Sequence, residues 1–330
     1  MSETLLQIRD LVVQYSADND IVHAVNGIDL TLDKGQILGL VGETGAGKTT
    51  TALAILKLLP KYSAKITGGQ ILFDGTDITA ASEKEMRKLR GNRISMIFQD
   101  PMTSLSPVAR VGKQISEVIR LHNPDMSRKE VDEKLDEILT MVGIPPERKV
   151  EYPHQFSGGM KQRIMIAIAI ACSPDLLIAD EPTTALDVTI QAQVIKMMRR
   201  LQQNLNSSVI LITHDLGLVA NFCDKVAIMY TGEIVESGTL EELFDRSRPH
   251  HPYTVGLFDS IPDLKKDAPR LKPIPGLMPN PSRLPEGCKF HPRCSHCTAK
   301  CCTGPVPTVR YGAHQITCHF IADKEAKHYG

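Results

Sequence analysis

Apolar and polar positions alternate in short pieces over residues 5 to 33, as in Ile8-Arg9-Asp10-Leu11-Val12-Val13 and Ile28-Asp29-Leu30-Thr31-Leu32. A period of two places one set of side chains on each face of a strand, so this region predicts an antiparallel sheet. Ile37-Leu38-Gly39-Leu40-Val41 carries no polar side chain and reads as a buried strand. Thr50 to Leu59 is free of Gly and Pro and rich in Ala, Leu and Ile, which predicts a helix stopped by Pro60. Gly69 to Gly75 reads as a hairpin, and the charged segment Ser82 to Arg90 as a surface helix. Ile94 to Phe98, Leu176 to Asp180 and Ser208 to His214 are further runs that read as buried strands. Val226 to Tyr230 and Ile234-Val235, around Gly232, predict a closing hairpin.

Between about 108 and 173 the pattern turns helical. Ser127-Arg128-Lys129-Glu130 is a capping box, behind which Val131, Leu135, Ile138, Leu139 and Val142 share one face and Gly143 is the stop. Phe156-Ser157-Gly158-Gly159-Met160 opens a second helix, Lys161 to Cys172. Residues 261 to 310 are rich in Pro, which favours an irregular extension. The length of 330 residues accommodates a full α/β core with one or two smaller pieces.

Composition removes several function classes. Lys and Arg (38) balance Asp and Glu (38), without the basic excess of a nucleic-acid-binding face. The longest apolar run, the nine residues Ile164 to Cys172, is half of the roughly 18 that a membrane span needs. Met1-Ser2-Glu3-Thr4 lacks the basic and apolar regions of a signal peptide, so a soluble cytoplasmic protein is expected.

Gly42-Glu43-Thr44-Gly45-Ala46-Gly47-Lys48-Thr49 fits the phosphate-binding loop G-x-x-x-x-G-K-S/T, between the expected strand and helix that the motif requires. The glycines let backbone N–H groups turn onto a polyphosphate, and the helix N-terminus adds partial positive charge. Lys48 is placed to reach the β- and γ-phosphates, and Thr49 to ligate Mg²⁺. Asp180-Glu181 ends an apolar strand, where adjacent carboxylates cost free energy unless paired or facing a metal. Asp180 suits Mg²⁺ and Glu181 suits the proton of an attacking water. Gln99 ends another strand, at the edge where α/β sites open. Other positions are ambiguous on their own: Tyr15 as base stack or packing, Ser157-Gly158-Gly159 as N-cap or anion site, and His214 as strand-end residue.

Of eight cysteines, Cys172 and Cys223 read as core residues, whereas six crowd between Cys288 and Cys318. Disulfides do not suit the reducing cytosol in which a phosphate-loop ATPase works, so a metal or cluster site is expected. Spacing alone picks Cys294, Cys297 and Cys301 with one further thiol, and fits zinc and iron–sulfur alike.

The order of phosphate loop, Gln99, Ser157-Gly158-Gly159, Asp180-Glu181, Asp187 and His214 resembles the nucleotide-binding subunit of ATP-binding-cassette (ABC) transporters, over roughly residues 5 to 260. The resemblance implies an α/β phosphate-loop NTPase with an antiparallel β subdomain, a helical signature subdomain (about 108–173) and an irregular Cys-rich C-terminal extension. It divides the chain into an ATPase domain, 1–260, and an extension, 261–330. In that family two cassettes sandwich two ATP molecules. Carried over, Tyr15 stacks on adenine, and Gly42, Glu43, Thr44, Gly45, Ala46, Gly47, Lys48, Thr49, Thr50 and Gln99 form the ATP site. Thr49, Gln99 and Asp180 surround Mg²⁺, Glu181 is the general base and His214 contacts the γ-phosphate. Ser157, Gly158 and Gly159 serve the partner's ATP, and Asp187 signals across the dimer. The signature reads Phe-Ser-Gly-Gly-Met rather than the common Leu-Ser-Gly-Gly-Gln, keeping the residues that meet phosphate.

Phe98 to Pro107, Thr183 to Thr189 and Pro249-His250-His251-Pro252-Tyr253-Thr254 are similar to the dipeptide/oligopeptide importer branch. That likeness implies a second, related cassette as partner, two membrane-spanning permease subunits, an external solute-binding protein, and a peripheral place on the cytoplasmic face of the membrane. Some relatives carry nickel or other solutes, and a soluble, non-transport ABC ATPase is the distant alternative. The branch's Cys-x5-Cys-x6-Cys followed by Cys-His falls on Cys288, Cys294, Cys301 and Cys318-His319, which in some members hold a 4Fe–4S cluster; zinc is the alternative.

Overall fold

The computed structural model describes residues 3–17, 20–100, 104–184, 186–260 and 273–328. Asp18 and Asn19 of the expected turn, Pro101 to Thr103, Ala185 and residues 261–272 of the Pro-rich stretch lie outside the described residues. The order is β1 (Thr4–Ala17), β2 (Asp20–Asp33), β3 (Ile37–Val41), α1 (Lys48–Ile55), β4 (Ala64–Phe73), β5 (Thr76–Asp77), α2 (Glu83–Leu89), β6 (Ile94–Ile97), α3 (Val111–His122), α4 (Arg128–Met141), α5 (Gly158–Ile170) and β7 (Leu176–Asp180). It continues with α6 (Val188–Leu205), β8 (Ser208–Thr213), α7 (Leu216–Phe222), β9 (Lys225–Tyr230), β10 (Glu233–Thr239), α8 (Leu240–Phe244), α9 (Pro252–Asp259), β11 (Thr308–Tyr311), β12 (His314–Thr317) and α10 (His319–His328). The chain groups into two compact units, one of 1–5, 32–37 and 80–212, the other of 6–31, 38–79 and 213–330.

In the first unit β6, β7 and β8 run parallel, with Ile94 opposite Leu176 and Leu176 opposite Ser208. Every residue of β7 and β8 is buried, which explains why they read as continuous apolar runs rather than alternating ones. The helical part packs Ile115 and Ile119 of α3 with Leu135, Ile138 and Leu139 of α4 and Ile164 and Met165 of α5. Each such side chain contributes about 1.5–3 kcal/mol on burial. The Ser127 capping box forms: Glu130 N–H donates to Ser127 Oγ at 3.3 Å and Ser127 N–H to Glu130 Oε2 at 2.7 Å. The signature helix begins at Gly158, three residues before the expected Lys161, because Ser157 is its N-cap.

In the second unit β2, β1, β4 and β5 form one sheet in that order, with β1 and β4 antiparallel. The β4–β5 turn, Asp74-Gly75, has positive φ at both residues (49° and 76°). A second sheet places β3 parallel to β9, β9 beside β10, and β10 antiparallel to β12 (Glu236 opposite Ile316). Helix α1 ends four residues short of the expected Leu59, because Lys57 adopts a left-handed φ of 49° before Pro60 is reached. The Cys-rich extension is not irregular throughout. Thr308–Tyr311 and His314–Thr317 form a hairpin around Gly312 that lengthens the sheet of the cassette's β10. Ile316, Cys318 and Ile321, with Val309, Tyr311 and Phe320 against them, give the extension its own small core.

Candidate functional site

The phosphate loop lies in the second unit, between the fully buried strand β3 and helix α1. A Cβ at Gly42 would stand 2.1 Å from the Met229 carbonyl oxygen. Gly47 has φ of 104°, and its Cβ would meet the Ala24 carbonyl oxygen at 2.4 Å. Only glycine fits at either place. Gly47 is also the N-cap of α1, so no side chain caps that helix, the arrangement an anion exploits. Lys48 is buried (6% exposed) and its ammonium curls over the loop, donating to the carbonyls of Gly42 (2.7 Å) and Glu43 (2.9 Å). Thr44, Gly45 and Thr49 are exposed, whereas Ala46 is buried. The Tyr15 hydroxyl is 3.4 Å from Thr50 Oγ1, which brings the aromatic candidate to the first turn of α1.

The carboxylates lie in the first unit. Asp180 ends β7 at 2% exposure. Glu181 adopts a left-handed φ of 45°, sparsely populated for a residue with a Cβ, and its N–H donates to the Ile212 carbonyl at 2.9 Å. Its Oε2 accepts from Gln99 Nε2 and from Thr184 Oγ1, each at 3.0 Å. The structure therefore brings Gln99 and Glu181 together, and adds Thr184, which the sequence reading missed. Its only signal was a hydroxyl three residues after the acid.

Ser157 is exposed and its Oγ accepts from Met160 N–H at 3.4 Å, so the hydroxyl is the N-cap of α5. Among the described residues nothing lies within 4 Å of a Cβ placed at Gly158, whereas one at Gly159 would strike Ile190 at 2.7 Å. Asp187 caps α6 by accepting from Ile190 N–H at 2.9 Å. His214 is exposed at the end of β8, and the adjacent Asp215 caps α7.

In the extension Cys288, Cys294, Cys301 and Cys318 are free thiols close enough to raise one another's cost of ionisation. Burial is the larger effect and pushes the Cys288 thiol up to about 12. Backbone N–H groups of Phe290, His296, and Phe320 and Ile321 face the sulfurs of Cys288, Cys294 and Cys318 respectively. Such donors favour the thiolate that a metal requires. Among the described residues, buried His319 Nε2, next to Cys318, has no hydrogen-bond partner. Cys297 and Cys302 are exposed free thiols hydrogen-bonded to each other, apart in character from the less exposed four. These residues fit a metal or cluster.

Two contacts were not legible in the motif. Glu43 receives a bidentate pair from Arg293 (2.6 and 3.1 Å), and its N–H donates to the Tyr253 hydroxyl at 2.9 Å. Tyr253 belongs to the His250-His251-Pro252-Tyr253 segment, the one trace of this link in the sequence.

Comparison with known proteins adds the following. A family model described as ABC transporter matches residues 25–184, and one described as oligopeptide/dipeptide transporter, C-terminal region, matches residues 235–301. The chain is 47% identical to the dipeptide transport ATP-binding protein DppD of Bacillus subtilis, over 99% of its own length and 97% of the relative's. It is 50% identical to the oligopeptide transport ATP-binding protein OppD of the same organism, over 88% and 82%. Among solved structures, cbiO1 from Clostridium perfringens, part of the ABC transporter complex cbiONQ, superposes with a TM-score of 0.64 at 28% identity, covering 74% of this chain and 92% of that one.

Proposed function

The chain belongs to the ABC transporter family of ATP-binding subunits and carries the oligopeptide/dipeptide C-terminal region, and we propose that it binds and hydrolyses ATP to energise uptake of di- and oligopeptides. The observation that carries the reading is that similarity to dipeptide and oligopeptide transport ATP-binding proteins continues past the cassette through the extension.

In this reading the loop N–H groups of residues 45–50 and the Lys48 ammonium hold the β- and γ-phosphates, and Tyr15 stacks on adenine. Thr49, Gln99 and Asp180 would hold Mg²⁺, which neutralises charge developing on the phosphates. Gln99 and Thr184 aim Glu181, which takes a proton from water; the water oxygen bonds to the γ-phosphorus as the bond to the bridging oxygen breaks, leaving ADP and phosphate. His214 contacts the γ-phosphate. Ser157, Gly158 and Gly159 serve the ATP of a second, related cassette, and Asp187 signals between the two. The ATPase function occupies 1–260 and the extension 261–330. The pair works beneath two membrane-spanning permease subunits supplied by an external solute-binding protein, at the cytoplasmic face of the membrane.

The four thiols Cys288, Cys294, Cys301 and Cys318, of which Cys301 and Cys318 are buried, would hold a 4Fe–4S cluster. Zinc, which four thiolates also suit, is the alternative.

The experiment is a tagged pull-down from gently solubilised native membranes. Two membrane-spanning proteins and a second cassette are expected, with a binding protein whose ligand is peptide. Recovery with ribosomes or DNA and no membrane protein would overturn the transport reading while leaving the ATPase.

A further inference from the structure

Arg293 sits in the turn between Cys288 and Cys294, in the extension, and its side chain is 5% exposed. All its nitrogens are engaged: Nη1 and Nη2 on the Glu43 carboxylate, Nη1 also on the Tyr230 hydroxyl at 3.4 Å, Nε on the Pro275 carbonyl at 2.9 Å, and Nη2 on the Ile274 carbonyl at 3.4 Å. A planar guanidinium held on every edge has one orientation, and the bidentate pair passes that orientation to Glu43.

Glu43 occupies a variable position of the phosphate loop, so the motif itself does not require an acid there. Its backbone is nonetheless part of the phosphate machinery. Its carbonyl accepts from Lys48 Nζ at 2.9 Å and its N–H is fixed by the Tyr253 hydroxyl. One residue thus joins Arg293, through its side chain, to the phosphate-binding lysine, through its carbonyl. Met278 of the extension also lies close over the loop, since a Cβ added at Gly45 would stand 2.9 Å from its Cε.

We propose that Arg293 is a positioning residue for Lys48 and the phosphate loop, so that nucleotide affinity depends on the cysteine-bearing turn 288–294. The inference rests on the reading of residues 42–49 as the ATP site. Lys cannot replace Arg293, because a point charge lacks the fork that fixes both carboxylate oxygens.

The test measures ADP and AMPPNP binding calorimetrically on the full chain, with melting temperature and steady-state ATPase alongside. Arg293→Met is expected to weaken nucleotide affinity about tenfold or more, equivalent to about 1.4 kcal/mol. KM should rise more than kcat at saturating ATP falls, because Lys48 is displaced before nucleotide binds and is drawn back by it. Should Arg293→Met not fold, Arg293→Lys decides, since it keeps the buried charge and loses only the fork. Affinities within about twofold of wild type, with or without a lowered melting temperature, would make Arg293 merely structural and overturn the proposal. A wild-type chain that binds neither nucleotide would overturn the ATP reading and this inference with it.

Discussion

His250 Nδ1 lies 2.6 Å from Glu236 Oε1, and the same histidine's Nε2 lies 3.0 Å from the Asp245 carbonyl oxygen. Burial opposes protonation of the ring, but both its nitrogens face acceptors and the Glu236 carboxylate raises it overall, which favours an ion pair between the two. His314 Nε2 reaches the same Glu236 oxygen at 2.8 Å, and the other oxygen accepts from His251 N–H. A network on β10 thereby fastens the His250-His251 segment to β12 of the extension.

The pH dependence of this network follows from its charges. Burial opposes ionisation of Glu236, but hydrogen bonds from His250 and His314 more than offset it and hold the carboxyl at about 2. Its stabilisation is present above the ordinary value near 4.5 and is lost as pH falls toward 2. His250 is also opposed by burial yet is raised overall by Glu236, so its contribution is present below 6.5 and is lost as pH climbs through its raised value. Glu236→Gln should cost about 3 kcal/mol, because it leaves a buried imidazolium unpaired. The difference from wild type in denaturant titrations should be largest at mildly acidic pH and shrink on both sides. A pH-independent difference would remove the ion pair as its cause.

Glu181→Gln should keep ATP affinity and lower turnover by about 10²–10⁴-fold, the usual contribution of a positioned general base. The amide can still be held by Gln99 and Thr184 but takes no proton from water. Single-turnover hydrolysis at near-normal rate would exclude Glu181 from that role.

Gly47→Ala should abolish nucleotide binding and destabilise the chain by at least about 1–3 kcal/mol. Both effects follow from the added Cβ, which needs space 2.4 Å from a carbonyl oxygen at φ of 104°. Thermal unfolding and ADP titration check the pair. Gly158→Ala, where among the described residues nothing lies within 4 Å of the added Cβ, should leave stability nearly unchanged.

Protein purified without oxygen should be brown, with iron and acid-labile sulfide in equal amounts. Cys301→Ser should lose the colour and lower the melting temperature, since Cys301 is buried. Cys297→Ser should keep the colour, because that thiol is exposed. Colourless protein with one zinc per chain would replace the cluster by zinc.

The sequence alone determined whatever depends on neighbours along the chain. Buried strands such as Leu176 to Asp180 were legible because parallel strands covered on both faces need an unbroken apolar run, and the Ser127 capping box because three residues of local spacing suffice. Local chemistry likewise exposed the phosphate loop and the Asp180-Glu181 pair. Helix ends were less legible: the backbone at Lys57, not Pro60, stops α1, and Ser157 starts α5 early. Only the tertiary structure decided the rest. Glu43 and Arg293 are 250 residues apart, and Glu236 and His314 are 78 apart. No periodicity spans such separations, because what brings these partners together is the pairing of β10 with β12 and the packing of the extension around Tyr230, Tyr253 and Phe290. An acid or a histidine carries no mark of its partner until the fold has removed water from between them.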